Sequence, residues 1–532
     1  MATAFLVIVP FFFLGNPSGH DFEFHVNSWM EVLGQWRQGI LYPRWAALAQ
    51  YGYGEVRFIF YPPASWMLGA VLGALLPWKA VPGAYVWLAL TLSGCSMFLL
   101  ARRWLGRRDS IFAAASYAAN PYYIVIVYWR SAFAELLAGA LLPLLLLYVL
   151  RLEEEQEAVA PLGVIVAAAW LTNIPAAVMA NYSLVLLIVI LAILKRSPSL
   201  LLYGAFSVLL GAALAAFFLV PAAYEQKWVN IAEVLSPGVR PQDNFLFVRI
   251  NDVDHNRFNL LISLVASAEM IVLAIAVFLS RSWRRRQAHL WWTLSGWALV
   301  ALLLNFSFTA FLWEYLPELR YLQLPWRWLL CVNAALTLFL TMASRRWIVR
   351  FLICVAMFAV LTLVWNRVQA PWWETAADFG EMLVHQQSGA GYEGTDEYVP
   401  AGADPYEIKQ DTPRVSVEDD GAAPGQVQQI QILRWGAESK LFSAEVSQPG
   451  QLVLRLFNYP AWRVEVNGQV VSTSTREVTG QMLIPVQAGE NRVQITFMRT
   501  RDRTRGAIIS GITALCLGGV IVQRRRRLSS RP

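Results

Sequence analysis

Apolar residues fill long unbroken runs through the first 366 positions of this chain, and after that the pattern changes. The runs fall at 82–101, 110–127, 134–150, 160–179, 182–194, 200–220, 259–280, 289–311, 327–343 and 348–366, with another at 506–522 beyond a long polar stretch. Each is near the ~20 residues that a bilayer core demands of a helix. With the opening "ATAFLVIVPFFFLG" they predict about twelve transmembrane helices. The opening run is short, because fourteen residues at ~1.5 Å each cover about 21 Å of a ~30 Å core. Either that helix crosses thinly or the chain begins upstream; a cleaved signal peptide is the weaker reading, since no basic residue precedes the run.

From about 405 to 500 apolar and polar residues alternate instead. "LVLRLFNY", "WRVEVNG", "VVSTST" and "NRVQITFM" have the period of two that strands require, "VNGQ" carries the Asn-Gly signal of a two-residue hairpin, and "PVQAGENR" is a further turn. A small antiparallel β sandwich is expected there. The expected organisation is therefore a polytopic α-helical transmembrane domain over 1–366 with an outer loop at 16–81, a linker over 367–404, a β domain over 405–502, and a last helix with a basic tail over 503–532. Within the outer loop, Trp29, Val32, Leu33 and Trp36 are at helical spacing and predict an amphipathic helix lying in the interface. The following "YPPASWMLGAVLGALLPW" is broken by prolines and is expected to rest on the membrane or re-enter it.

Composition agrees: 57% of the 532 residues are hydrophobic and only 15% charged. A net charge of +7 would suggest a nucleic-acid partner in a soluble protein, but here the basic residues are clustered between apolar runs. "RRWLGRRD", Arg151, "KR" at 195, "RSWRRR" at 281, "RRWIVR" at 345 and "RRRR" at 524 hold 18 of them, all in alternate loops. The positive-inside rule assigns that side to the cytoplasm. The loop 16–81, the turn 128–135, the segment 221–258 and the β domain then face outward. Cys95, Cys331, Cys354 and Cys516 all fall in apolar runs and read as small buried hydrophobes.

Outward-facing "GHDFEFH" at 19–25 is the densest cluster of chemistry. No Walker loop, dinucleotide fingerprint, H-E-x-x-H or G-x-S-x-G is present, so nucleotide-driven chemistry is excluded as a reading. An enzyme outside the cytoplasm must find its activated substrate there, and a sugar on a membrane-anchored polyprenyl phosphate is one such substrate. Phosphate leaves with little help from an acid, so one carboxylate base for the acceptor hydroxyl and cations for the phosphate suffice. Asp21 is the candidate base. Arg57, Arg130, Lys227 and Arg327, with Glu135 beside them, are the candidates for donor-phosphate binding. His20, Asp21 and His25 are candidate ligands for a divalent metal, the one cofactor the cluster invites. Bland alternatives stand beside each: a solvated Asp21, a structural ion pair of Arg130 with Glu135 or of Glu225 with Lys227, and interface anchoring by Arg327 between two tryptophans. Asn173, next to Pro175, is read as satisfying freed backbone groups.

The series "GHDFEFH…QGILYPRW…YGYG…FYPP", "NPYYIVIVYWRSAFAE", "LTNIPAAVM", "LVPAAYEQKW" and "LQLPWRW" resembles bacterial membrane proteins labelled 6-pyruvoyl-tetrahydropterin synthase-related. The tail "IPVQAGENRVQITF" is similar to the outer domain of YfhO-type proteins, and both groups resemble the GT-C glycosyltransferase superfamily. The resemblance implies a GT-C-like fold in a bacterial inner membrane, a lipid-linked-sugar-dependent transferase, an essential aspartate at Asp21 and a second acidic position at Glu135. Its implied partners are a polyprenyl-phosphate-linked sugar, membrane lipids and an extracytoplasmic acceptor (cell-envelope glycan, lipid or protein), with no nucleic acid. The pterin label carries no chemistry here, since a pterin synthase needs a histidine zinc cluster and this chain has five histidines. Two rivals stay open: a lipid or glycan transporter or flippase, and a non-catalytic scaffold with a glycan-binding outer domain.

Overall fold

The computed structural model describes residues 1–152, 156–368, 372–417 and 427–529. Parts of the expected linker (369–371), β domain (418–426) and tail (530–532), and the side chains of the arginine cluster at 524–527, lie outside the described residues. Among the described residues eight helices are long and apolar enough to cross a membrane, and two bent pairs bring the number to ten. The bent pairs are Ser199–Leu214 with Ala216–Trp228, at 76°, and Ala288–Leu303 with Ser307–Tyr315, at 95°. Two further expected spans are present as helices too short to cross, Ala2–Phe12 and Val159–Thr172. The second was expected to run to 179. It stops because Asn173 leaves helical geometry, at φ −158° and ψ 122°, and its side chain accepts from the Ala176 amide at 2.9 Å to cap the next helix, Ile174–Lys195.

The outer-loop helix exists but is not lying in the interface. It spans Phe22–Arg37, starts inside the "GHDFEFH" cluster and is buried on most of its surface. Trp29 stacks on Tyr85 with ring centroids 5.0 Å apart. Helix Pro63–Leu75 crosses over it so closely that a Cβ on Gly69 would sit 2.2 Å from the Trp29 ring. An apolar stripe beside two apolar helices is withdrawn from lipid by packing.

Loops segregate to two ends. Asp109 and Arg350, from two of the basic loops, pair at 2.7 Å. At the other end the expected outward segments meet one another: Asn16 and Pro17 pair with Glu374 and Trp373, Gln323 donates to the Val234 carbonyl at 2.8 Å, and Asn230 donates to the Ala403 carbonyl at 2.9 Å.

The β region is two antiparallel sheets. One runs Val427–Trp435, Ser439–Val446, Gly489–Phe497, Trp462–Val466, Gln469–Val471 in spatial order, and the other Val415–Val417, Gly450–Phe457, Gln481–Val486, Ser474–Thr475. Val466 pairs with Gln469 across Asn467 and Gly468, whose φ values of 50° and 81° are the left-handed pair that a two-residue hairpin requires. Phe442, Leu452, Leu454, Ile484, Val493 and Ile495 fill the space between the sheets. Trp45 of the outer loop enters the same core, fully buried, with ring centroids 5.2 Å from Trp462 and 5.6 Å from Phe497. Arg503, near the start of the last helix Arg501–Ser529, bonds Glu225 at 2.7 and 2.8 Å, and Tyr459 donates to the same carboxylate at 2.6 Å. The β sheets are thus keyed into the helical part at two places. All four cysteines are free, but only Cys331 is buried. Cys95, Cys354 and Cys516 are exposed on apolar helices at the perimeter, where an apolar run faces lipid and not protein.

Candidate active site

The site is assembled by a backbone stitch between two loops. Helix Pro121–Val125 loosens into a π turn over Ile126–Arg130, and Ser131 follows in the left-handed region at φ 49°. Single π turns of this kind recur at functional sites because they turn one side chain out of the regular ladder. The Asp21 amide donates to the Arg130 carbonyl at 2.9 Å, and the Gly19 amide donates to Ser131 Oγ, which in turn donates to the Pro17 carbonyl. Gly19 is required by the approach: a Cβ there would lie 2.5–2.7 Å from the Trp129 and Arg130 backbone.

That stitch sets Asp21 beside Arg130, with Oδ2 3.7 Å from Nη2. Glu135, one helical turn past the loop, accepts from Arg130 Nη1 at 2.5 Å, Arg327 Nε at 3.1 Å and Tyr122 Oη at 2.6 Å. Arg327 also donates to the Leu322 carbonyl and to Gln323 Oε1, and the Arg130 guanidinium lies 4.8 Å from the Trp326 ring centre. Arg130, Glu135 and Arg327 are buried, while the Asp21 side chain is 40% exposed. The four side chains carry two negative and two positive charges. The cations are locked by hydrogen bonds, and the exposed carboxylate is held only by a longer contact.

The structure brings Asp21, Arg130, Glu135 and Arg327 together and leaves the other expected phosphate contacts elsewhere. Arg57 is 1% exposed and held on two of its nitrogens: Nε bonds Glu55 at 2.6 Å, and Nη1 bonds Ser28 Oγ and the Phe24 carbonyl. Glu55 also accepts from the Thr395 amide at 2.9 Å, so this pair fastens the linker to the outer loop. Lys227 is exposed, with its ammonium 3.8 Å from the Tyr224 ring centre. Glu225, considered with it, is spent on Arg503 and Tyr459.

The expected metal shell of His20, Asp21 and His25 is not assembled; among the described residues no group of three His, Cys, Asp or Glu side chains could hold an ion. His25 is 2% exposed and sits among the rings of Phe24, Tyr61, Phe133 and Trp29. Burial pushes its imidazole down to about 4, with Asp21 pulling the other way and Arg57 and Arg130 adding to the depression. His20 instead lies edge-on to Phe258, centroids 5.3 Å apart. Sequence reasoning did not single out Gly19, Tyr122 or Ser131 and read Trp326 only as an interface anchor beside Arg327; nothing local in "GHDFEFH" or "NPYYIVIVYWRSAFAE" signals that the two stretches meet.

The sequence model of a family described as "6-pyruvoyl-tetrahydropterin synthase related domain; membrane protein" matches residues 58–370, which takes in Arg130, Glu135 and Arg327 and begins after Asp21. Among solved structures the chain is similar to ArnT from Cupriavidus metallidurans bound to undecaprenyl phosphate, at 15% identity and TM-score 0.47, over 73% of this chain and 70% of that one. It is similar to the arabinofuranosyltransferase AftD from Mycobacteria at 15% identity and TM-score 0.47, over 70% of this chain and 26% of that one. The Archaeoglobus fulgidus oligosaccharyltransferase, in complex with Zn and sulfate, is similar at 13% identity and TM-score 0.38, over 74% and 53%. No curated protein matches the sequence.

Proposed function

The chain belongs to the 6-pyruvoyl-tetrahydropterin synthase-related family of membrane proteins, and from that premise we propose that it is a glycosyltransferase moving a sugar from a polyprenyl-phosphate donor to an acceptor on the outer face of a bacterial inner membrane. The observation that carries the reading is the meeting of Asp21, Arg130, Glu135 and Arg327, drawn from three distant stretches of chain; the reading sets the donor's headgroup against them. In the proposed reaction the acceptor oxygen bonds the anomeric carbon as the carbon–oxygen bond to phosphate breaks. The bonding pair leaves with the phosphate, and the acceptor proton passes to Asp21. Configuration inverts. Arg130 and Arg327, oriented by Glu135, supply fixed positive charge for the leaving phosphate. The two sheets, into whose core Trp45 of the outer loop packs, shape the space for the acceptor in this reading.

The test is transfer of a labelled sugar from polyprenyl phosphate in membranes carrying Asp21→Asn. A loss of about 10²–10⁴-fold is expected for removal of a general base; unchanged transfer at normal expression would remove Asp21 from the reaction. A transporter or flippase reading keeps one supporting observation. Glu269, within the span Val253–Leu279, is 2% exposed and accepts from Asn333 Nδ2 at 2.9 Å, and an intramembrane carboxyl is a common transport element. Transport abolished by Glu269→Gln, with sugar transfer absent from the wild type, would favour it.

A further inference from the structure

A cavity of about 480 Å³ opens where the outer loop, the bent helix Ala216–Glu225, the β sheets and the last helix converge. Its chemistry differs from that of the Asp21 site. Arg44, Arg499 and Arg503 line it together with a single acid, Glu438. Arg503 is neutralised by Glu225. Arg44 is not matched in this way: its guanidinium lies 4.3 Å from the Tyr42 ring centre, and its Nη1 is buried without a hydrogen-bond partner. The Tyr42 hydroxyl is a second buried polar atom without a partner on the same wall. A buried donor left without a partner is destabilising, so two on one wall are a demand for an acceptor. Burial pushes the Glu438 carboxyl above its ordinary range, against the pull of Arg503 and Arg44.

The membrane-side wall is apolar. Phe217 and Ala507 line it, and the two helices that carry them are joined by Ser510, which accepts from the Phe217 amide at 2.9 Å and donates to the Ala213 carbonyl at 3.1 Å. Further along the last helix, Ile508 and Ile512 are exposed and continue the apolar surface. A cationic recess with orphaned donors above, running onto an apolar helix pair below, matches an amphiphile with an anionic head.

We propose that this cavity binds the phosphate of a membrane lipid, with the Arg44 guanidinium and Tyr42 hydroxyl as its donors, Arg499 at the rim, and the acyl or prenyl chain along Phe217 and Ala507. The site is separate from the Asp21 constellation and does not rest on the glycosyltransferase reading. It accounts for the arrangement at the joint: lipid phosphate there completes the contact of the β sheets with the membrane end.

The experiment uses the full chain, delipidated in detergent, with binding read by native mass spectrometry against polyprenyl phosphate, phosphatidylglycerol, diacylglycerol and inorganic phosphate. Retention of either lipid phosphate over diacylglycerol is expected, and which of the two binds identifies the source. Arg44→Met should weaken it about tenfold and the rim change Arg499→Ala about threefold, each of these being the scale of one charge-assisted contact. Asp21→Asn, outside this cavity, should retain phosphatidylglycerol as the wild type does, so that failure here and failure of the sugar-transfer reading remain distinct. Because Arg44→Met removes an orphaned donor, its melting temperature without lipid should equal or exceed that of the wild type, while the rise on adding lipid phosphate becomes smaller. Equal retention by Arg44→Met, equal binding of diacylglycerol, or binding of free phosphate alone would overturn the proposal.

Discussion

Glu135→Gln is the change that most directly probes the constellation. The carboxylate accepts from two buried guanidiniums and a tyrosine, at 2.5, 3.1 and 2.6 Å. At an effective dielectric of ~20, each charge pair near 3 Å contributes about 5 kcal/mol of attraction, offset by several kcal/mol of desolvation per ion. Removing the negative charge leaves Arg130 with Asp21 at 3.7 Å and Arg327 with neutral acceptors only, so the stranded-charge penalty dominates. A loss of about 3 kcal/mol is expected, at the low end of the ~3–5 kcal/mol range for broken buried pairs, since Gln retains one acceptor oxygen. Adding Arg327→Met to Glu135→Gln restores the charge balance, with Arg130 facing Asp21, and should recover at least about 1.5 kcal/mol relative to the sum of the single changes. The assay is reversible unfolding of the purified chain in mixed detergent–SDS micelles, run as a double-mutant cycle. A Glu135→Gln cost below about 1 kcal/mol, or strict additivity with Arg327→Met, would refute the idea that these side chains act as one locked unit. Asp21→Asn in the same assay should cost under about 1 kcal/mol, because its contact is long and exposed.

Gly19→Ala places a methyl group against the Trp129–Arg130 backbone; sugar transfer should fall at least about tenfold through displacement of Asp21 while the β sheets stay folded, read by transfer assay and limited proteolysis. His25 has a folded-state value near 4 against the ordinary 6.5. Its unfolded form therefore binds the proton first: stability is full above about pH 6.5 and is lost as pH falls towards 4, by about 3 kcal/mol in all. His25→Phe should flatten that part of the pH–stability curve, and an unchanged curve would count against the burial argument. Sidedness is testable with single cysteines at Glu23 and Arg346 in a chain lacking its native cysteines; a membrane-impermeant maleimide applied to intact spheroplasts should label the first and not the second.

Much of the architecture was legible because bilayers and hairpins impose one-dimensional rules. Apolar runs located a helix for each expected span, and the Asn467–Gly468 pair located its turn. What failed were readings that needed a third dimension. The helix Phe22–Arg37 is amphipathic in sequence, yet its partner is protein, which only the crossing of Pro63–Leu75 could reveal. Arg57 was an attractive phosphate ligand until paired with Glu55, a partner two residues upstream that the sequence did display. Glu135 and Arg327 are 192 residues apart, so single-sequence periodicity has no access to their contact. Trp45 is a plug in the β core, a placement that no local pattern around it indicates.

The two charge systems at the site are positioned by different means, and that difference bears on their roles. Asp21 is placed by backbone bonds, from its own amide to Arg130 and from Gly19 to Ser131, and its carboxylate is left without a hydrogen-bonded clamp at the exposed edge. Arg130 and Arg327 are placed by their side chains, through Glu135 and the Leu322 carbonyl, in a buried setting. A group that must exchange a proton gains from exposure and freedom of its oxygen atoms; groups that must present constant charge gain from being immobilised before substrate arrives. Under the proposed reaction the carboxylate would be the proton acceptor and the arginines the phosphate contacts. Exchanging those assignments would require a buried guanidinium to leave Glu135, at the stranded-charge cost estimated above.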